Sequence, residues 1–258
     1  MRGTRCAFVD NARTMNTTRI LTSLALALTL ASCSGDDTVQ PPITGEIAGR
    51  VELTYINGTN GDDAGVIVSL DAQPSIRDTT DASGAYLLAG VPPGTHSVTF
   101  DRSGFGGYRE FGIEIDGSTH ETLQLVEMGE IPRATVTSLA AGTGSDAIVF
   151  SGTVSELGLF DRSQNVAVHI GLSDTVSSLP SAHSLVVVIE VPRGATTFSS
   201  GSSIQYLRAS GLPSGRPLYA VAYIVDYFTS THYTPPGQSR QYWTSQSGPS
   251  QRVSFTIP

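Results

Sequence analysis

The side chains with the most chemistry to offer in this chain are five histidines, an aromatic cluster near the C-terminus and two cysteines. His96, His120, His169, His183 and His232 are scattered, with no HExxH motif and no i, i+4 pair. A transition-metal centre is therefore not expected, and such isolated histidines read as structural. Serine is abundant, yet no G-x-S-x-G occurs, and Gly211-Leu-Pro-Ser-Gly215 reads as a turn rather than a nucleophile elbow. No glycine-rich phosphate loop leads into a helix. Asn57 to Asp63 offers oxygen ligands at loosely calcium-like spacing but lacks the closing acid of an EF-hand, and turns select the same residue types. With no convergent acid, base or nucleophile, no catalytic residue and no cofactor is expected, and the chain reads as non-enzymatic.

The aromatic cluster comprises Tyr227, Phe228, Tyr233, Tyr242 and Trp243, the only tryptophan, set among Ser, Thr, Gln and Pro. Two readings stand. Flat rings beside amide and hydroxyl groups, in loops at one end of a sandwich, suit a glycan or a protein partner, which makes Tyr227, Tyr233, Tyr242 and Trp243 candidate ligand-binding residues. Alternatively these rings pack across the strands of a long hairpin, which explains their alternation without a ligand and is the favoured reading.

The N-terminal region carries an address. An apolar run from Ile20 to Leu30 follows a basic region bearing Arg19, is too short to span a bilayer, and ends in small residues. That is the layout of a secretory signal, and Met15-Asn-Thr-Thr-Arg19 would open it compactly. Leu30-Ala31-Ser32-Cys33 resembles the bacterial lipobox, whose cysteine is lipidated and becomes the mature N-terminus. An ordinary secretory signal with an incidental cysteine is the alternative. The resemblance implies cleavage of residues 1–32, lipidation at Cys33, and an exported protein held at the outer membrane by its acyl chains. Ser34 to Thr44 is then a polar, proline-containing tether. Beyond residue 32 remain 11 arginines and 22 acids, a net charge of −11, and the chain has no lysine. So acidic a surface argues against nucleic acid and against docking on anionic lipid, leaving lipid chains as the membrane attachment.

The elements that must position these residues are strands. Short alternating runs punctuated by Gly, Pro, Asn and Asp, with no sustained helical periodicity after Leu30, predict an all-β chain of two consecutive sandwiches, over 45–131 and 132–258. In the first, Ile47/Val51/Leu53, Val66/Val68/Leu70, Tyr86/Leu88, Val98/Phe100, Ile113/Ile115 and Leu123/Leu125 mark buried faces, Asp81 and Gly84 a reversal, and Pro93-Gly94 a type II turn. In the second, strands are expected over Ala134–Leu139, Ala147–Val154, Asn165–Leu172 and Ser184–Val191, the last so continuously apolar that it reads as central.

Four ordered motifs carry a resemblance. Gly49-Arg50-Val51, Thr80-Asp81-Ala82-Ser83-Gly84-Ala85-Tyr86, Leu88-Ala89-Gly90-Val91-Pro92-Pro93-Gly94 and Gly104-Phe105 resemble the carboxypeptidase-regulatory-like domain, a transthyretin-like sandwich. That implies a non-catalytic accessory that stiffens, spaces or mediates contacts; related sandwiches bind carbohydrate, so a carbohydrate-binding lipoprotein is the alternative function. Leu212-Pro-Ser-Gly215 before Leu218-Tyr-Ala-Val-Ala-Tyr-Ile-Val225 looks like the fibronectin type III pattern, with Tyr219 as its tyrosine corner. The early-strand Trp of that pattern is missing, with Phe150 the nearest substitute.

Overall fold

The computed structural model describes residues 43–258 except 57, 58, 60, 156–162 and 226–230. Cys33, Tyr227, Phe228 and most of the tether thus lie outside the described residues. The chain's regular structure among them is all strand apart from one six-residue helix. Its buried apolar side chains gather into two main clusters, one between Ile47 and Met128 and one between Ala134 and Ile257.

The first sandwich is organised on β1 (Gly45–Thr54), which buries Ile47, Val51 and Leu53 completely. The next strands are β2 (Ile67–Leu70), β3 (Gln73–Thr79), β4 (Ala85–Val91), β5 (Gly94–Asp101) and β6 (Tyr108–Ile115). They sort into a β3-β2-β5-β6 sheet facing one in which β4 runs antiparallel to β1. The reversal into β4 is built as its residues require. Asp81 Oδ1 accepts from the Ser83 hydroxyl at 2.7 Å and from the Ala85 and Ser83 amides at 3.1 and 2.8 Å, which together hold its carboxyl below the usual carboxylate range. Gly84, at φ 78°, occupies the left-handed region, and a Cβ there would overlap the Val51 carbonyl oxygen.

Two expectations fail here. Leu123 and Leu125 do not define a strand. Instead β7 (His120–Thr122) and β8 (Val126–Gly129) both run parallel to β1, one along each half of it. The register against β1 slips by one residue between them, from Ala48 opposite Thr122 to Val51 opposite Val126, so Val126 and Met128 carry the buried alternation while Leu125 is exposed. Nor is Pro93-Gly94 a type II turn. Gly94 has φ 142° and already pairs with Ile115 in β5, whereas the turn needs about +80° at that position.

The second sandwich sets β9 (Val136–Thr143), β10 (Ala147–Val154) and the later β13 (Thr197–Ser203) in one sheet, with β10 central. The facing sheet runs β12 (Leu185–Val191), β11 (Gln164–Gly171), β14 (Pro217–Val225), β17 (Val253–Thr256), all antiparallel. This is an immunoglobulin-like arrangement of seven strands. Helix α1 (Ile204–Ala209) follows β13, its first turn capped by Ser203 Oγ accepting from the Tyr206 amide. Phe150 and Phe255 meet edge-to-face in the core at 5.4 Å. The strand Ser184–Val191 is not central: among the described residues β12 pairs only with β11 and forms the sheet edge. Its inner residues Leu185, Val187 and Ile189 face the core. Its outer residues Val186 and Val188 are apolar for a separate reason: a further segment covers part of that side, over Val186, and leaves Val188 half-exposed.

Candidate functional site: an aromatic hairpin and the cavity beneath it

The cover is supplied by the segment between β14 and β17. At the end of β14, a backbone bridge joins Val225 to Gln246. Ser247 Oγ accepts from the Ile224 amide and Ser250 Oγ from the Ala222 amide, both at 2.9 Å. Serine side chains thus satisfy the stretch of β14 that β17 does not reach. Within this segment β15 (His232–Tyr233) and β16 (Tyr242–Trp243) form a short antiparallel ladder pairing His232 with Trp243 and Tyr233 with Tyr242.

The two faces of this hairpin do different things, as the period-2 alternation of strands demands. Tyr233 turns toward the first sandwich. It meets Phe111 of β6 at 5.8 Å, Tyr108 edge-on at 6.2 Å and its own cross-strand partner Tyr242 at 5.6 Å. Partial burial raises the Tyr233 hydroxyl's pKa, and burial together with the hydrogen bond to Glu110 pushes that of Tyr108 up to about 12. Beside them, buried Thr231 joins the two sandwiches through its hydroxyl. Its Oγ1 accepts from the Gly129 amide at 2.6 Å, and its own amide donates to Ser245 Oγ at 2.6 Å. Gly106 lies so close that a Cβ there would overlap the backbone nitrogen of Ser245.

Trp243 lines a cavity of about 120 Å³ on the outer face of the second sandwich. The floor is the sheet: Ala167 and His169 of β11, Val186 and Val188 of β12. His183, from the loop preceding β12, and Gln241 complete the wall. His169 and His183 are 5% and 7% exposed, with rings edge-to-face at 4.6 Å, and Tyr223 of β14 packs edge-on to His169 at 5.2 Å. His183 Nδ1 lies 3.1 Å from the Ser177 carbonyl; that contact requires Nδ1 to carry the proton, leaving Nε2 as the acceptor of the neutral ring. The Arg240 guanidinium donates to the carbonyl of His183, fastening the hairpin to that loop. Burial, with the neighbouring His183 second, pushes the His169 imidazole down to about 3, and burial also lowers His183. Nδ1 of His169 has no hydrogen-bond partner among the described residues.

No protein-family model and no curated protein matches the chain. Solved structures do. A Bacteroides uniformis protein provisionally described as carbohydrate-binding aligns with 84% of this chain and 100% of its own at 13% identity, TM-score 0.32. A DUF3823 family protein from the same species aligns with 83% of this chain and 100% of its own at 14% identity, TM-score 0.31. A type II cohesin–X-dockerin complex from Acetivibrio cellulolyticus aligns over 34% of this chain at 14% identity, TM-score 0.30. In that last case the match spans 59% of the other chain's length. Likenesses this distant carry no argument about ligand or partner.

Of the residues singled out in the sequence, then, Tyr233 and Tyr242 pack at the junction and Trp243 faces the cavity, while Tyr227 lies outside the described residues. Sequence reasoning took His169 and His183 singly, as structural histidines, and did not bring them together. Fourteen positions apart, they share no motif, and what joins them is the pairing of β11 with β12 and the loop that returns to it. One signal was present: His169 interrupts an apolar strand, at a position where the alternation alone would put it opposite Val168 and Ile170.

Proposed function

We propose that this chain is an exported bacterial lipoprotein whose two sandwiches, divided near Pro132, act as one stiff, non-catalytic module presenting an interaction surface away from the outer membrane. The observation that carries the reading is the junction. Thr231 bonded to Gly129 and Tyr233 set against Tyr108 and Phe111 tie the second sandwich to the first across side chains and backbone. A linker alone would leave two domains free to swing, as small polar interdomain contacts do. Support for the anchor is the run from Ile20 to Cys33, and support for an accessory role is the carboxypeptidase-regulatory-like motif set between Gly49 and Phe105. The His169 imidazole, held near 3, is a poor general base at neutral pH, which favours binding over catalysis. The expected partner is a protein or a glycan. A glycan array on the ectodomain separates the two.

The anchor is tested by expressing wild type and Cys33→Ala in a bacterial host and measuring intact mass and membrane partitioning. Wild type should begin at Cys33 with added acyl mass and sediment with membranes, while the variant turns soluble. Secretion of both forms unmodified would remove the anchor from the account.

A further inference from the structure

The cavity under Trp243 is the one place among the described residues where an indole, two buried neutral imidazoles and open volume coincide. We infer that it is a binding site for a small uncharged ring compound carrying one hydrogen-bonding group, of the phenol or cyclohexanol class. This goes beyond the tethered-module reading and does not depend on the anchor.

Size sets the first limit. About 120 Å³ is far more than the roughly 10–15 Å³ a water needs, and slightly less than the ~150 Å³ of an apolar cavity able to hold benzene. One six-membered ring fits; two do not. Charge sets the second. None of the described side chains lining the cavity is charged, and the neighbouring Arg240 guanidinium is already engaged by the His183 carbonyl, so an ionised ligand gains no free counter-charge from the wall. Polarity sets the third. Val186, Val188, Ala167 and the indole of Trp243 provide apolar wall, and the polar groups are His169, His183 and Gln241. A hexose would bring several hydroxyls to three partners, and each one turned unmet onto the apolar wall costs affinity. A neutral imidazole, by contrast, accepts one hydrogen bond through its unprotonated nitrogen, which suits one hydroxyl. The ring stacks against indole or meets the imidazoles edge-on, as His169 and His183 already do with each other.

Because Trp243 is the only tryptophan, its indole N–H gives a single resonance in a nitrogen-15 correlation spectrum. Phenol and cyclohexanol are each expected to shift that resonance saturably at about millimolar concentration, the range open to a ligand of so few atoms. Glucose and benzoate should leave it unmoved. Val188→Phe, made on the half-exposed outer edge of β12, should fill the cavity and weaken phenol at least tenfold with the circular dichroism spectrum unchanged. His169→Leu should weaken phenol while retaining benzene, and it serves if Val188→Phe misfolds. A resonance indifferent to phenol, a glucose shift equal to phenol's, or undiminished binding in both variants would overturn the inference.

Discussion

His169 is a residue that the fold keeps from titrating. In an unfolded chain its imidazole takes a proton near pH 6.5, but in the folded chain burial delays this to about 3. Between those values the unfolded state binds the extra proton. Its contribution to stability is therefore complete above about pH 6.5 and is lost progressively as pH falls toward 3. The lowered His183 acts in the same direction. Asp81 and Asp116, whose hydrogen bonds hold their carboxyls below the ordinary value of 3.8, withdraw stability only at more acidic pH. Urea unfolding at about pH 7 and about pH 4.5 should thus isolate the histidines, with wild type losing about 2–3 kcal/mol at the lower pH through His169. His169→Gln should lose clearly less; an equal loss would mean that His169 is solvated.

At the scale of elements, what was legible in the sequence is what alternation encodes. β10 runs over Ala147–Val154 as its pattern predicts, and Tyr86, Leu88, Val98 and Phe100 are buried as expected. What misled were elements whose apolar content has two causes. β12 reads as central because both its faces are apolar, yet one faces the core and the other a cavity roofed by an insertion that alternation cannot foresee. Elements poor in apolar residues were silent: β13 (TFSSGSS) contributes Phe198 to the core and is held mainly by its ladder with β10, and β3 is a mostly exposed edge. The candidate site suffered likewise, since the fold that gathers His169, His183 and Trp243 is tertiary. For the hairpin, cross-strand packing accounts for Tyr233 and Tyr242, and a prediction follows. Tyr233→Ala removes three ring contacts and should loosen β15 and β16, seen as faster tryptic cleavage at Arg240 with the global thermal midpoint lowered only slightly. Unaltered cleavage would assign the hairpin's order to other contacts.

For the molecule as a whole, the two sandwiches bury separate cores and could have melted separately. The junction argues that they do not. Thr231, 3% exposed, accepts from Gly129 and donates to Ser245, so losing its hydroxyl leaves a buried amide unmet, a cost of about 1–3 kcal/mol. A module meant to hold its two sandwiches at a fixed angle to each other needs that stiffness, and this coupling is the claim on which the proposed role rests. Differential scanning calorimetry of residues 41–258, wild type beside Thr231→Val, tests it most directly. The account predicts one cooperative transition for wild type, with the variant melting lower and broadening or splitting toward two. Two resolved transitions in wild type, unaffected by Thr231→Val, would contradict it and leave two independent domains on a string.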